Sequence, residues 1–141
     1  MSTASAVAVA TTFVWLGMVL AISFLEAPLK FRAPNVTLQI GLGIGRLVFR
    51  ALNSVEAGFA LVILLAGLAR PQPPGVTAAF VVAGAALALQ LGAVRPLLNR
   101  RSDKVLAGLS SRRSRSHHVY VGLEVIKVIA LLTAGALLLS A

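Results

Sequence analysis

The chain has no cysteine, which excludes disulfides, thiolate metal sites and thiol redox chemistry. Acidic residues are nearly as scarce: Glu26, Glu56, Asp103 and Glu124 are the only four among 141 residues, against 13 Lys and Arg. The one Asp lies in a basic stretch and no Gly-x-Ser-x-Gly occurs, so the usual nucleophile arrangements have no support. The two histidines, His117 and His118, are adjacent, which argues against bis-histidine haem ligation within one chain. They read first as headgroup contacts. A metal at His117 and Glu124 would need a third ligand and has no recognisable spacing, so neither metal nor cofactor is expected. Gly41, Gly43 and Gly45 lack both a preceding strand and a P-loop lysine, and read as a flexible lead-in to a helix.

Apolar residues are what the chain has in excess. They make up 58% of it, with 12% charged and a mean hydropathy of +0.92, against about 45–50% and 25% in soluble domains. Four stretches match the roughly 20 residues of helix that cross a bilayer: Val7 to Leu25, Leu47 to Ala69, Val76 to Val94 and Val119 to Leu139. The predicted fold is all-α, a polytopic membrane four-helix bundle forming one transmembrane domain over residues 1–141, with connections at 26–46 and 95–118. A secretory signal is not expected in the first span, because residues 1–14 carry no Lys or Arg and Leu25-Glu26-Ala27 is a poor cleavage site.

The net charge of +9 sorts by connection. Lys30, Arg32, Arg46 and Arg50 flank the first, and Arg95, Arg100, Arg101, Lys104, Arg112, Arg113 and Arg115 flank the third. Only Arg70 lies between spans two and three. The positive-inside rule therefore predicts a cytoplasmic-membrane protein with both termini outside. The basic runs are expected to meet anionic lipid headgroups rather than nucleic acid.

A repeat emerges when Glu56 is laid on Glu124 without gaps. Pro28, Leu29 and Arg32 then fall on Pro96, Leu97 and Arg100, and Ala66 and Gly67 fall on Ala134 and Gly135. Matches in Leu and Ala mean little here, but Pro, Arg, Glu and Gly in one register predict a parallel tandem repeat of two helical hairpins. A pseudo-two-fold axis along the membrane normal would then set Glu56 and Glu124 at equal depth.

Three of the four acids lie at the edge of or inside apolar spans, where an ionisable residue usually faces the bundle interior and marks a site. At ~100° per residue, His117, Tyr120, Glu124 and Lys127 share an arc of roughly 80°, and Arg46, Arg50, Asn53 and Glu56 one of about 120°. Trp15, Glu26 and Gln90 add groups from spans one and three, so all four spans can supply one polar layer. Val119 to Leu139 holds twelve Val, Ile or Leu, which contribute about 6 kcal/mol to insertion, while two central charges cost about 3 each. Insertion is then near break-even, and Lys127 must pair with Glu56 or Glu124. One lysine facing two glutamates leaves a carboxyl able to exchange a proton. The bland alternative is that these groups only hold helices together, with Trp15 and Tyr120 as packing aromatics. Gly84, Ala88 and Gly92 form a small-residue stripe suited to helix packing or an oligomer contact, and Ser102 to Leu109 reads as a short interfacial helix.

The run Phe24-Leu25-Glu26-Ala27-Pro28, the Asn53-x-x-Glu56 pair and His117-x-x-Tyr120-x-x-x-Glu124 resemble the layout of small four-helix membrane proteins of the transmembrane protein 205-like group. That resemblance implies the fold, the membrane location and a role for Asn53, Glu56 and Glu124, but no particular activity. Two functions are expected from the residues. One is a non-enzymatic accessory subunit or small binder or carrier, its site drawn from Trp15, Glu26, Asn53, Glu56, Gln90, His117, Tyr120, Glu124 and Lys127. Its partners would be membrane subunits, a second copy or a lipophilic small molecule. The other is a membrane enzyme of isomerase or cyclase type acting on a lipophilic substrate, with Glu56 or Glu124 as general acid and Tyr120 or Lys127 assisting.

Overall fold

The computed structural model describes residues 1–94, 96, 100, 103 and 115–140, without the side chains of 94 and 115–117. The structure is all-α, and four helices are long and apolar enough to cross a membrane, within Thr3–Arg32, Leu38–Ala69, Pro74–Ala93 and His118–Ser140. They are built on α1 (Thr3–Val19), α2 (Leu38–Ala69), α3 (Pro74–Leu89) and α4 (Arg115–Ser140). Side-chain caps set two of the starts: Ser2 accepts the N–H of Ser5 at 3.1 Å and Thr37 that of Ile40 at 3.1 Å, each occupying one of the unpaired first-turn donors. Pro71, Pro73 and Pro74 separate α2 from α3, with Pro74 at the first helical position, where its missing N–H costs nothing.

α1 and α3 do not end as α-helices. Leu20–Glu26 and Gln90–Val94 are π-helical, and Ala27 N–H bonds back to Ile22 O. Each stretch stops two residues short of a proline, Pro28 or Pro96. A proline removes one backbone donor and its ring crowds the carbonyl four residues back, so the preceding turn is driven open.

The first connection is shorter than the sequence suggests. Ala27–Leu29 adds a helical turn and Lys30–Arg32 a 3₁₀ turn; Asn35 then takes a positive φ of 67°, and α2 begins at Leu38 rather than Leu47. Gly41, Gly43 and Gly45 are therefore helical, not a flexible lead-in. Gly41 is buried under the Phe31 ring, which leaves no room for a Cβ, and Gly45 lies under the Lys30 side chain. The early turns of α2 thus fold onto the end of the first span. The interfacial helix predicted at Ser102 to Leu109, most of the second basic connection and the His117 side chain lie outside the described residues.

α1 packs against α2 and α4, and α3 against α4, whereas α2 and α3 touch little. The apolar core joins Trp15, Leu16 and Val19 to Ile63, Ala83, Leu87, Ala130 and Leu131, with Ala8, Ala66, Val76 and Leu138 extending it toward the termini. Leucines, valines and isoleucines such as Leu61, Leu65, Val82, Ile129 and Leu132 are exposed on the outside of the bundle. The Gly84, Ala88, Gly92 stripe lies outside this core. A Cβ on Gly84 or Gly92 would meet nothing within 4 Å, and α3 instead buries Ala79, Ala83 and Ala86.

Candidate functional site

Below the apolar core, toward the end where Lys30, Arg46 and Arg50 sit, all four spans send a polar group to one point. Lys127 of α4 is fully buried, with 0% exposure. Its ammonium lies 2.5 Å from Glu56 Oε2 of α2 and 2.5 Å from Glu124 Oε1 one turn before it, and donates to Gln90 Oε1 at 2.8 Å. Those three contacts occupy its three N–H groups. Gln90, at the start of the π-helical end of α3, donates to Glu124 Oε1 at 2.6 Å and to the backbone carbonyl of Tyr120 at 3.4 Å. Ser23 donates to Glu124 Oε2. Trp15 donates its indole N–H to Glu56 Oε2 at 2.8 Å.

The cluster is therefore closed on one side and open on the other. Glu124 has both oxygens engaged. Glu56, equally buried, keeps Oε1 with no hydrogen-bond partner among the described residues. An unsatisfied buried polar atom of this kind costs about 1–3 kcal/mol. With both carboxylates ionised the Glu56, Lys127, Glu124 triad carries one net negative charge, and a single proton or one donor from a ligand would compensate it. The triad joins α2 to α4, so removing Lys127 strands two carboxylates in the bundle interior, whereas removing one glutamate leaves a balanced pair.

The sequence-predicted residues divide accordingly. Trp15, Glu56, Gln90, Glu124 and Lys127 come together. Asn53 and Tyr120 form a neighbouring pair, the phenol donating to Asn53 Oδ1 at 3.4 Å with the Tyr120 ring edge-on to Phe49 at 5.7 Å. Glu26 stands apart at the rim, 3.9 Å from Lys30 Nζ. Ser23 was not anticipated. A regular α-helix carries Ile22 rather than Ser23 round to the face of Trp15, and the wider turn of Leu20–Glu26 shifts that phase. The sequence signal for it was Pro28, read as a helix end rather than as the cause of an opened turn. Among the described residues no three His, Cys, Asp or Glu side chains gather to hold a metal.

Two clefts run along α2 on the side of α3. The one at the basic end has a volume of about 620 Å³ and is lined by Arg46, Arg50, Asn53, Ser54, Ala57 and Leu91, among others. The second, about 430 Å³, lies between Ala60, Ile63 and Leu64 of α2 and Phe80, Val81 and Gly84 of α3, with Trp15 in its wall. Both are partly open at the side. Volumes of this size hold small organic ligands, and Trp15 links the second cleft directly to Glu56.

Fold and site together define an all-α bundle of four helices long and apolar enough to cross a membrane, with a buried Glu–Lys–Glu cluster tied to every helix. Comparison of the chain with protein-family models, with curated proteins and with solved structures finds no match.

Proposed function

We propose that the protein is a small binder or carrier of a lipophilic molecule in the cytoplasmic membrane, with both termini outside and the Glu56, Lys127, Glu124 cluster as the polar end of its site. The observation that carries this reading is Glu56 Oε1, buried and without a partner in a cluster whose other polar groups are engaged. A cluster serving only to hold helices together gains nothing from that oxygen. A ligand donor or a bound proton gives it a use.

The two halves are read as repeats of one hairpin. When Glu56 is laid on Glu124, buried Trp15, Val19, Leu52, Ile63 and Ala66 fall on buried Ala83, Leu87, Tyr120, Leu131 and Ala134, and the two π-helical stretches overlap, each ahead of its proline. In that register Ser23 falls on Leu91 and Phe59 on Lys127. The repeat thus accounts for why the glutamates differ: Ser23 supplies a donor to Glu124, while Leu91 has none to offer Glu56.

Purification of the parent and of Glu56→Gln in mild detergent, followed by solvent extraction and mass spectrometry, tests the reading. The parent carries a stoichiometric lipophilic species that Glu56→Gln loses while remaining helical and monodisperse. Equal recovery from both proteins leaves the cluster a structural clamp.

A further inference from the structure

The two seams between the hairpins are built differently. Between α1 and α4, Phe13 lies against Gly135, where a Cβ would come within 2.7 Å of the ring, and Ser23 reaches Glu124. Between α2 and α3 the repeat-equivalent residues are Gly67, Val81 and Leu91. A Cβ on Gly67 would meet nothing within 4 Å, and all three line the clefts. One seam is shut by protein and the other is open along most of α2.

The open seam has a polarity. Arg46, Arg50, Asn53, Ala57, Ala60, Leu64 and Leu68 recur every three or four residues and so form one continuous face of α2. Its first turns are cationic and polar, and from Ala57 onward it is apolar. Arg46 shares its charge with Asp103 at 2.5 Å. Arg50 is exposed and has no ion pair among the described residues. A bilayer leaflet is about 15 Å of hydrocarbon, half the ~30 Å core, or roughly ten residues of helix. A chain whose headgroup sits at Arg50 therefore runs to about Ala60, where the apolar cleft beside Trp15 begins.

We propose that the α2/α3 seam holds one membrane phospholipid with an anionic headgroup, its phosphate at Arg46 and Arg50 and an acyl chain along Ala57, Ala60 and Leu64 toward Trp15. This lipid lies in the seam beside the cluster, in addition to the ligand proposed at Glu56 and on a separate set of residues. Charge complementarity selects the lipid: a zwitterionic headgroup places a second cation beside Arg50, and a neutral amphiphile leaves the Arg50 charge uncompensated, Arg46 being paired with Asp103.

Native mass spectrometry of the full chain released from nanodiscs of equal phosphatidylglycerol and phosphatidylcholine tests the assignment. The parent retains one phosphatidylglycerol in preference to phosphatidylcholine. Arg50→Gln, an exposed position that leaves the core intact, lowers that preference about fivefold, the amount one basic side chain contributes near an anionic headgroup. Leu64→Trp, which fills the seam, lowers retention of both lipids. An unchanged lipid ratio in Arg50→Gln overturns the proposal, as does a second copy of the chain bound in place of lipid. If Arg50→Gln is without effect but Glu56→Gln still loses its extracted ligand, the occupant is wrong and the binder reading stands. If the parent retains no ligand at all, both fall.

Discussion

Replacing Lys127 by Met removes the one cation of the buried cluster while keeping the length of the side chain. The ammonium gives up contacts at 2.5 Å to Glu56 and Glu124 and at 2.8 Å to Gln90. It leaves two carboxylates that are 0% and 1% exposed facing each other without compensation. Breaking a buried pair by deleting one partner costs about 3–5 kcal/mol. For a chain of this length each kcal/mol moves the unfolding midpoint by roughly 3–4 °C, so the loss expected is on the order of 10–20 °C. The assay is thermal unfolding in a fixed detergent, followed by circular dichroism. The companion variant carries Glu56→Gln, Lys127→Met and Glu124→Gln together. It removes all three charges and is expected to recover at least half of the loss, because the penalty comes from stranded charge rather than from a missing attraction. A Lys127→Met protein within about 3 °C of the parent refutes the reasoning, and so does a triple variant as unstable as the single one.

Trp15→Phe keeps the aromatic contact to Phe59, now 6.4 Å between ring centroids, but loses the N–H to Glu56, for a cost of about 1.5–3 kcal/mol in the same melt. Trp15 is the only tryptophan and is almost fully buried, so parent fluorescence is expected to be blue-shifted and resistant to aqueous iodide. Gly135→Ala is expected to destabilise by displacing Phe13, whereas Gly67→Ala, with open space around it, gains up to about 1 kcal/mol of helix propensity; comparison of the two melting curves checks the contrast between the seams. The native chain has no cysteine, so single cysteines at Asn35 and Gln72 report topology: an impermeant maleimide added to intact cells should label Gln72→Cys and spare Asn35→Cys.

Four spans were legible because length and hydropathy alone specify them. The polar layer was legible too, since the cost of burying Glu56, Glu124 and Lys127 forces them to meet. What the sequence hid were matters of phase and packing. The π-helical turn before Pro28 brings Ser23 to Glu124, and no periodicity based on 3.6 residues per turn reveals that. The early start of α2 depends on Phe31 lying across Gly41, a contact between segments that the glycines, read as loop residues, concealed. The unequal seams follow from single pairs, Phe13 on Gly135 against Val81 and Gly67, whose meaning appears only once the helices are placed.

The central claim is that Glu56 belongs to a ligand site and Glu124 to the scaffold. The direct measurement is the unfolding midpoint of each protein before and after exhaustive removal of bound lipid, because a ligand that binds only the folded state raises the midpoint and its removal lowers it. The parent is expected to lose several degrees on delipidation and Glu56→Gln clearly less, having no ligand at the cluster to give up. Equal losses in the parent and in Glu56→Gln contradict the claim.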